Sequence, residues 1–270
     1  MSDGLVIAVY DYPRGDMADL EVRLALRRHV PGWSIETASI NSFKTLSTGM
    51  VLAQAACSEI AESLAPGNVV VYGNCAPRKD IDSERDDNEG EGLVYVELDN
   101  GVRMLVVNSG YSLSFLKDRI VALYEANVSD KGSQFRSRDN FPEMVGAIAA
   151  GKLSSVKGAA LDPESVIPDL PERRIAYIDS FGNLKLTMRS DDPFFASLTE
   201  GQKVRIKIGR TPGVATMCNG SFSVCEGELA FAPGSSGYDR RFLELFLRGG
   251  SAADLFHAEE EESVEIRLLP

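Results

Sequence analysis

The chain is short of the residues that usually announce catalysis or metal binding: 270 residues hold two histidines, four cysteines and one tryptophan. Cys57, Cys75, Cys218 and Cys225 show no CxxC spacing, and only His29 and His257 could join them, so no zinc set is expected. Reduced thiols in a cytosolic protein fit this usage, with Cys57, on an alanine-rich helical stretch, read as core. No apolar run approaches the ~20 residues that span a bilayer. The opening Ser2-Asp3-Gly4 is not basic, so Leu5-Val6-Ile7-Ala8-Val9 reads as a first strand and not as a signal peptide. A cytoplasmic location is expected. Positive charge is scarce too: 28 Lys and Arg face 40 Asp and Glu, a net charge of −12. That balance argues against nucleic acid and anionic membranes as partners, and leaves small ligands open.

What is present suits two domains, with 44% hydrophobic and 25% charged residues. The first part alternates strands and helices. Strands are predicted over 5–10, 34–38 and 68–72, the last buried and parallel by its Val69-Val70-Val71 run. Residues 91–98 and 103–107 read as a hairpin around Asp99-Asn100-Gly101. Helices are predicted over 18–28 (from Leu20, Leu24 and Ala25), 51–64, 113–124 and 140–150. Pro163, Pro168 and Pro171 interrupt residues 162–174, which read as a linker. Beyond it, seven short runs separated by glycine and proline predict a small barrel or sandwich: 175–178, 184–188, 203–208, 213–217, 228–231, 242–246 and 264–268. The expected architecture is thus an α/β domain with a mostly parallel sheet over 1–161, followed by a β-rich domain over 175–270. Two acidic stretches, 80–91 and 259–265, read as solvated, the first as a mobile loop dispensable for folding.

Four segments carry a resemblance when taken in order. Asp11 and Asp16 keep a D-x-x-x-x-D spacing, and Phe135-Arg136-Ser137-Arg138-Asp139-Asn140-Phe141 precedes a helix. Tyr177-Ile178-Asp179-Ser180-Phe181-Gly182-Asn183-Leu184 forms a strand and turn; Ser235-Ser236-Gly237-Tyr238 is followed by Gly250-Ser251-Ala252-Ala253-Asp254-Leu255. Together they resemble the S-adenosylmethionine hydroxide adenosyltransferases and their fluorinase and chlorinase relatives. The resemblance implies a homotrimer whose ligand sites lie between one subunit's N-terminal domain and a neighbour's C-terminal domain. It implies S-adenosylmethionine as substrate, with no metal or further cofactor.

By the same resemblance Asp11, just after the first strand, accepts from ribose hydroxyls; a helix N-cap is the alternative for it and for Asp16. Asp179 would meet the methionine amino group and Asn183 the ribose or adenine, flanking Phe181; turn chemistry alone is the competing reading. Phe222 would pack on adenine and Phe43 near the 5′-carbon, although a phenylalanine is more often plain core. Ser235, Ser236 and Arg248 belong to the loop facing adenine.

The pattern breaks where the hydroxide-forming members carry an Asp–Arg–His set that activates water. Tyr72 stands at the Asp position and Arg136 at the His position, while Arg78 could serve as the Arg. Tyr72 and Ser137 instead match the halide-using members, though Cys75 replaces their Thr and Ser137 could merely cap a helix. The sulfonium already activates the 5′-carbon, so alignment of a nucleophile can matter more than a general base. Three readings follow: an enzyme displacing methionine with a small nucleophile, a non-catalytic adenosyl binder, and a structural protein.

Overall fold

The computed structural model describes residues 4–64, 66–77, 90–129, 131–220 and 222–269. Arg78 and residues 80–89 of the first acidic stretch lie outside the described residues. The chain divides into two units, Met1–Asp169 and Leu170–Pro270. The division falls inside the proline-interrupted segment, whose earlier part joins the first unit and carries a one-turn helix, Pro163–Val166, capped by Asp162.

The first unit is built on seven strands: β1 (Leu5–Tyr10), β2 (Ser34–Ser39), β3 (Val69–Asn74), β4 (Leu93–Leu98), β5 (Arg103–Val107), β6 (Ile120–Ala126) and β7 (Lys157–Ala160). They lie in the order β2-β1-β3-β5-β4-β6-β7. The first four pair in parallel and the rest antiparallel; β1 and β3 at the centre are buried on both faces, while the edge strand β2 is not. On one face α1 (Met17–His29) and a later helix, Phe141–Ala149, set Val22, Leu26, Phe141 and Val145 against Val6, Tyr10, Val70 and Tyr72. On the other lies α2 (Thr45–Ala56). Gly49 of α2 lets the backbone come close: a Cβ there would stand 2.4 Å from the Tyr111 carbonyl oxygen.

Four sequence expectations change here. Residues 113–124 are not an α-helix but turns and one short 3-10 turn, Lys117–Arg119, followed by β6, which extends the sheet beyond β4. The expected 51–64 helix starts earlier, at Thr45, and breaks at Ser58, whose Oγ accepts from the Ala61 amide to start α3 (Glu59–Leu64). In α1 the inward face is Asp19, Val22 and Leu26, while Leu20 and Leu24 are exposed. Cys57 is no plain core residue: it is half-buried and its Sγ accepts from Arg119 Nη1.

The rotation of α1 follows from Asp19, whose carboxylate receives the buried Tyr10 hydroxyl and the Gly15 amide. Burial pushes the Asp19 carboxyl pKa up, but those two donors and Arg23 outweigh it and hold it below the usual value. A depressed carboxyl contributes stability above its unfolded value of about 3.9 and loses it as pH falls through the folded value. Asp19→Asn is therefore expected to destabilise the protein at neutral pH and to shrink its further loss in acid. Urea unfolding at neutral pH and near pH 3 tests this; an unchanged acid limb would contradict it.

The second unit also has seven strands: β8 (Ile175–Ile178), β9 (Leu184–Arg189), β10 (Lys203–Ile208), β11 (Thr211–Met217), β12 (Leu229–Pro233), β13 (Phe242–Leu247) and β14 (Val264–Leu268). Every run expected from the sequence forms a strand. Their order is β14-β10-β11-β12-β13-β9-β8, antiparallel except for β11 and β12. The sheet edges then meet: Arg174 bridges Ser263, and the Val264 amide donates to the Arg173 carbonyl. The curled sheet closes as a barrel around Ile175, Leu186, Val204, Ile206, Phe231 and Leu245. No helix among the described residues is long and apolar enough to cross a membrane.

Candidate functional site

In the first unit a cleft of about 530 Å³ opens at the carboxyl ends of β1 and β3, the place where parallel sheets present ligand sites. Asp11 follows β1 directly. It is buried; its carbonyl accepts from Ser42 Oγ at 3.2 Å and its carboxylate Oδ2 from the Phe43 amide at 3.1 Å. That bond holds Phe43 in the left-handed region, at φ 67°, with the ring 53% exposed at the cleft. A bulky side chain there costs roughly 1–2 kcal/mol, and an exposed ring recovers little of it by packing. Phe43→Gly is expected to raise stability by about 1 kcal/mol while weakening binding of the cleft's ligand. Paired thermal unfolding and calorimetry test this; a destabilised variant would show that the ring serves the fold instead.

Asp16, also lining the cleft, caps α1 by accepting from the Ala18 amide at 2.7 Å. Ser137 enters from the short helix α4 (Arg136–Asp139), just ahead of α5, the Phe141–Ala149 helix. Its Oγ lies 2.7 Å from Tyr12 Oη, which accepts from Asn74 Nδ2 at 2.8 Å. Arg136 lines the same cleft and lays its guanidinium over Phe141 at 5.2 Å. Glu91, expected in a solvated loop, is buried and lines the cleft as well. Solvation fails at this end of the acidic stretch because the chain there is already entering β4.

Tyr72 lies beneath this cleft, on the same face of β3 as Asn74, with its ring edge-on to Phe141 at 6.4 Å. It is fully buried, and its Oη has no hydrogen-bond partner among the described residues. Burial first, then the fields of Tyr12, Tyr10 and Asp11, push its pKa well above the ordinary phenol value. Tyr72 is thus a protonated donor and not a base. Of the residues singled out in the first unit, the structure brings Asp11, Phe43 and Ser137 together at one cleft, with Tyr72 below.

In the second unit Asp179 builds a turn. Its Oδ1 accepts from the amides of Phe181 and Asn183, both at 3.0 Å, and its Oδ2 from Asn183 Nδ2 at 2.9 Å. The turn leaves Phe181 exposed and Asn183 buried, with Asn183 Oδ1 lacking a hydrogen-bond partner among the described residues. Gly182, at φ 78°, packs so closely that a Cβ would lie 2.1 Å from Ser251 Oγ, and its carbonyl accepts from the Ala253 amide. The two motifs of this unit are therefore one packed substructure. Phe222 is exposed and edge-on to Phe246, while Arg248 Nη1 donates to the Val224 carbonyl at 2.6 Å, bracing that loop. Ser235 and Ser236 follow β12, and the Ser236 carbonyl accepts from the Phe242 amide.

Residues 173–265 match the family model of the SAM hydroxide adenosyltransferase C-terminal domain. The matched stretch contains the Asp179–Asn183 turn and the Ser251–Ala253 segment against it. No protein among the curated ones searched matches the chain. Among solved structures, an uncharacterized conserved protein from Thermotoga maritima is similar, at 18% identity and a TM-score of 0.75, over 97% of this chain and 99% of that one. A conserved hypothetical protein from Thermus thermophilus is similar at 17% identity and a TM-score of 0.64, over 98% and 100%. These two likenesses bear on the fold.

Tyr12, Asn74, Glu91 and Arg136 were not assigned to ligand binding from sequence, yet they line the cleft. Tyr12 carried one readable signal, its place beside Asp11 at a strand end. No cluster of three or more His, Cys, Asp or Glu suited to a metal ion occurs among the described residues.

Proposed function

We propose that the protein binds S-adenosylmethionine and displaces methionine from the ribose 5′-carbon with a small nucleophile. The observation that carries this reading is the match of residues 173–265 to the SAM hydroxide adenosyltransferase C-terminal domain. The first unit supports it with a cleft holding a buried carboxylate, a strained exposed phenylalanine and hydroxyl donors. Asp11 would accept from the ribose hydroxyls, Asn183 Oδ1 would accept a hydrogen bond from the adenosyl group, and Phe43, Phe181 and Phe222 would cover its apolar faces. Ser235, Ser236 and Arg248 would shape the adenine side.

In the reaction the nucleophile's electron pair forms the new bond to the 5′-carbon as the carbon–sulfur bond breaks. The bonding pair goes to sulfur, and the sulfonium becomes the neutral thioether of methionine. An anion completes this without proton transfer; water must also lose a proton. Tyr72 stays protonated and cannot act as a base, so it offers an attacking water no place for its proton. The same protonated Tyr72 favours, as second reading, an adenosyl binder with no turnover.

Incubation with S-adenosylmethionine, with and without added halide, followed by mass analysis of products, tests the proposal. Released methionine with a 5′-substituted adenosine or adenosine supports it; binding without turnover selects the second reading. Absence of both overturns it. The reading includes a homotrimer in which neighbouring subunits share each ligand, so sedimentation at micromolar concentration is expected to give three times the chain mass. A strict monomer would contradict the shared site.

A further inference from the structure

Behind the Asp179–Asn183 turn lies a buried ion pair to which the proposed reaction gives no task. Leu184 and Leu186 of β9 and Leu243 and Leu245 of β13 face the barrel core, so by alternation Asn183, Lys185 and Glu244 lie on its outer face. All three are buried there. Lys185 and Glu244 are register partners across the two strands, and Lys185 Nζ donates to Glu244 Oε2 at 3.0 Å. Glu244 is confined from another side as well: a Cβ at Gly234 would overlap its carboxylate. Lys185 Nζ also stands 4.0 Å from Asp179 Oδ2, the oxygen that accepts from Asn183 Nδ2 at 2.9 Å. A carboxylate only accepts, so that bond fixes the Asn183 amide with its nitrogen toward Asp179 and Oδ1 turned away. Asn183 Oδ1 is buried and has no hydrogen-bond partner among the described residues. The Lys185 ammonium thus has two carboxylates within reach, and the closer hold of Glu244 leaves Asp179 Oδ2 to Asn183.

We propose that Glu244 is a positioning residue: by holding Lys185 off Asp179, it keeps the Asn183 amide set with its oxygen toward the ligand. The proposal rests on the preceding reading for the ligand, but the setting of the amide can be measured without one. Glu244 acts through Asn183 and touches no substrate. A pair that only braced the barrel would leave the affinity of the folded protein unchanged.

Glu244→Gln removes the counter-charge and keeps the shape. Lys185 then turns to its next carboxylate and competes with Asn183 for Asp179 Oδ2. Adenosine affinity of the folded full chain, measured by calorimetry, is expected to fall about 10-fold, the worth of the one hydrogen bond assigned to Asn183. Adding Lys185→Met removes the competitor and should return the affinity to within about twofold of wild type. In an Asn183→Ala background, Glu244→Gln should cost no further affinity, since the two act as a unit. The side-chain NH2 signals of Asn183, assigned by their loss in Asn183→Ala, should shift in ligand-free Glu244→Gln and return when Lys185→Met is added. Glu244→Asp, which keeps the charge and only shortens its reach, should show the same shift to a smaller extent and serves if the Gln variant does not fold. Unchanged affinity or unchanged NH2 signals on removing the Glu244 charge would overturn the proposal. So would losses that multiply with Asn183→Ala, or no recovery with Lys185→Met. A wild-type protein that binds neither adenosine nor S-adenosylmethionine sinks the preceding reading instead, and the NH2 signals still decide the role of Glu244.

Discussion

Asp11→Ala is expected to weaken S-adenosylmethionine or adenosine binding about 100-fold, and Asn183→Ala about 10-fold. Asp11 carries the larger effect because its carboxylate does two things. In the proposed function it would offer oxygens to ribose hydroxyls, and it holds the Phe43 amide in the conformation that presents the ring. Loss of a hydrogen bond to a charged acceptor costs about 1.5–3 kcal/mol, and each 1.4 kcal/mol is a factor of ten. Release of Phe43 to ordinary backbone angles adds to that loss. Asn183 contributes one neutral acceptor whose oxygen lacks a partner among the described residues, so a single bond's worth is expected. Calorimetry on variants whose circular dichroism matches the wild type checks both. Unchanged affinity in the two variants would remove these residues from the ligand site.

Glu244→Ala should cost about 3 kcal/mol of stability, more than any other single change considered. Its carboxylate receives Lys185 Nζ at 3.0 Å across β9 and β13, and both side chains are nearly inaccessible. Truncation leaves a buried ammonium whose next carboxylate, on Asp179, is 4.0 Å away. An uncompensated buried charge typically costs about 3–5 kcal/mol, and the more distant Asp179 recovers a part of it. Replacing both partners by methionine should cost much less, since a buried pair often does no better than apolar side chains of similar volume. Urea denaturation of the single and double variants separates these outcomes. A Glu244→Ala loss below about 1 kcal/mol would mean that water reaches Lys185.

The two halves of the fold differed in how plainly the sequence spelled them. Strands of the barrel are short runs cut by glycine and proline, and each run became a strand because the turns between them leave no other choice. The 113–124 segment misled because Leu113, Phe115 and Leu116 sit at spacings a helix would also use. A serine side chain ties the segment elsewhere: Ser114 Oγ donates to the Pro168 carbonyl, far along the chain. Ile120 onward then pairs with β4, a contact invisible to local pattern. In the cleft, Asp11 and Ser137 were legible because they belong to motifs. Tyr12 and Asn74 acquire meaning only from a bond that joins residues 62 positions apart.

Closure of the barrel has a consequence for the order of events as the chain is synthesised. β14 is the last strand of its unit to emerge, yet it pairs with β10 along its length and reaches the start of β8 through Ser263 and Val264. Until it arrives, two strand edges with unsatisfied amides and carbonyls stay open, an invitation to pair with another chain. A protein cut before Val264 is therefore expected to accumulate as aggregates and not as a soluble, slightly weakened fold.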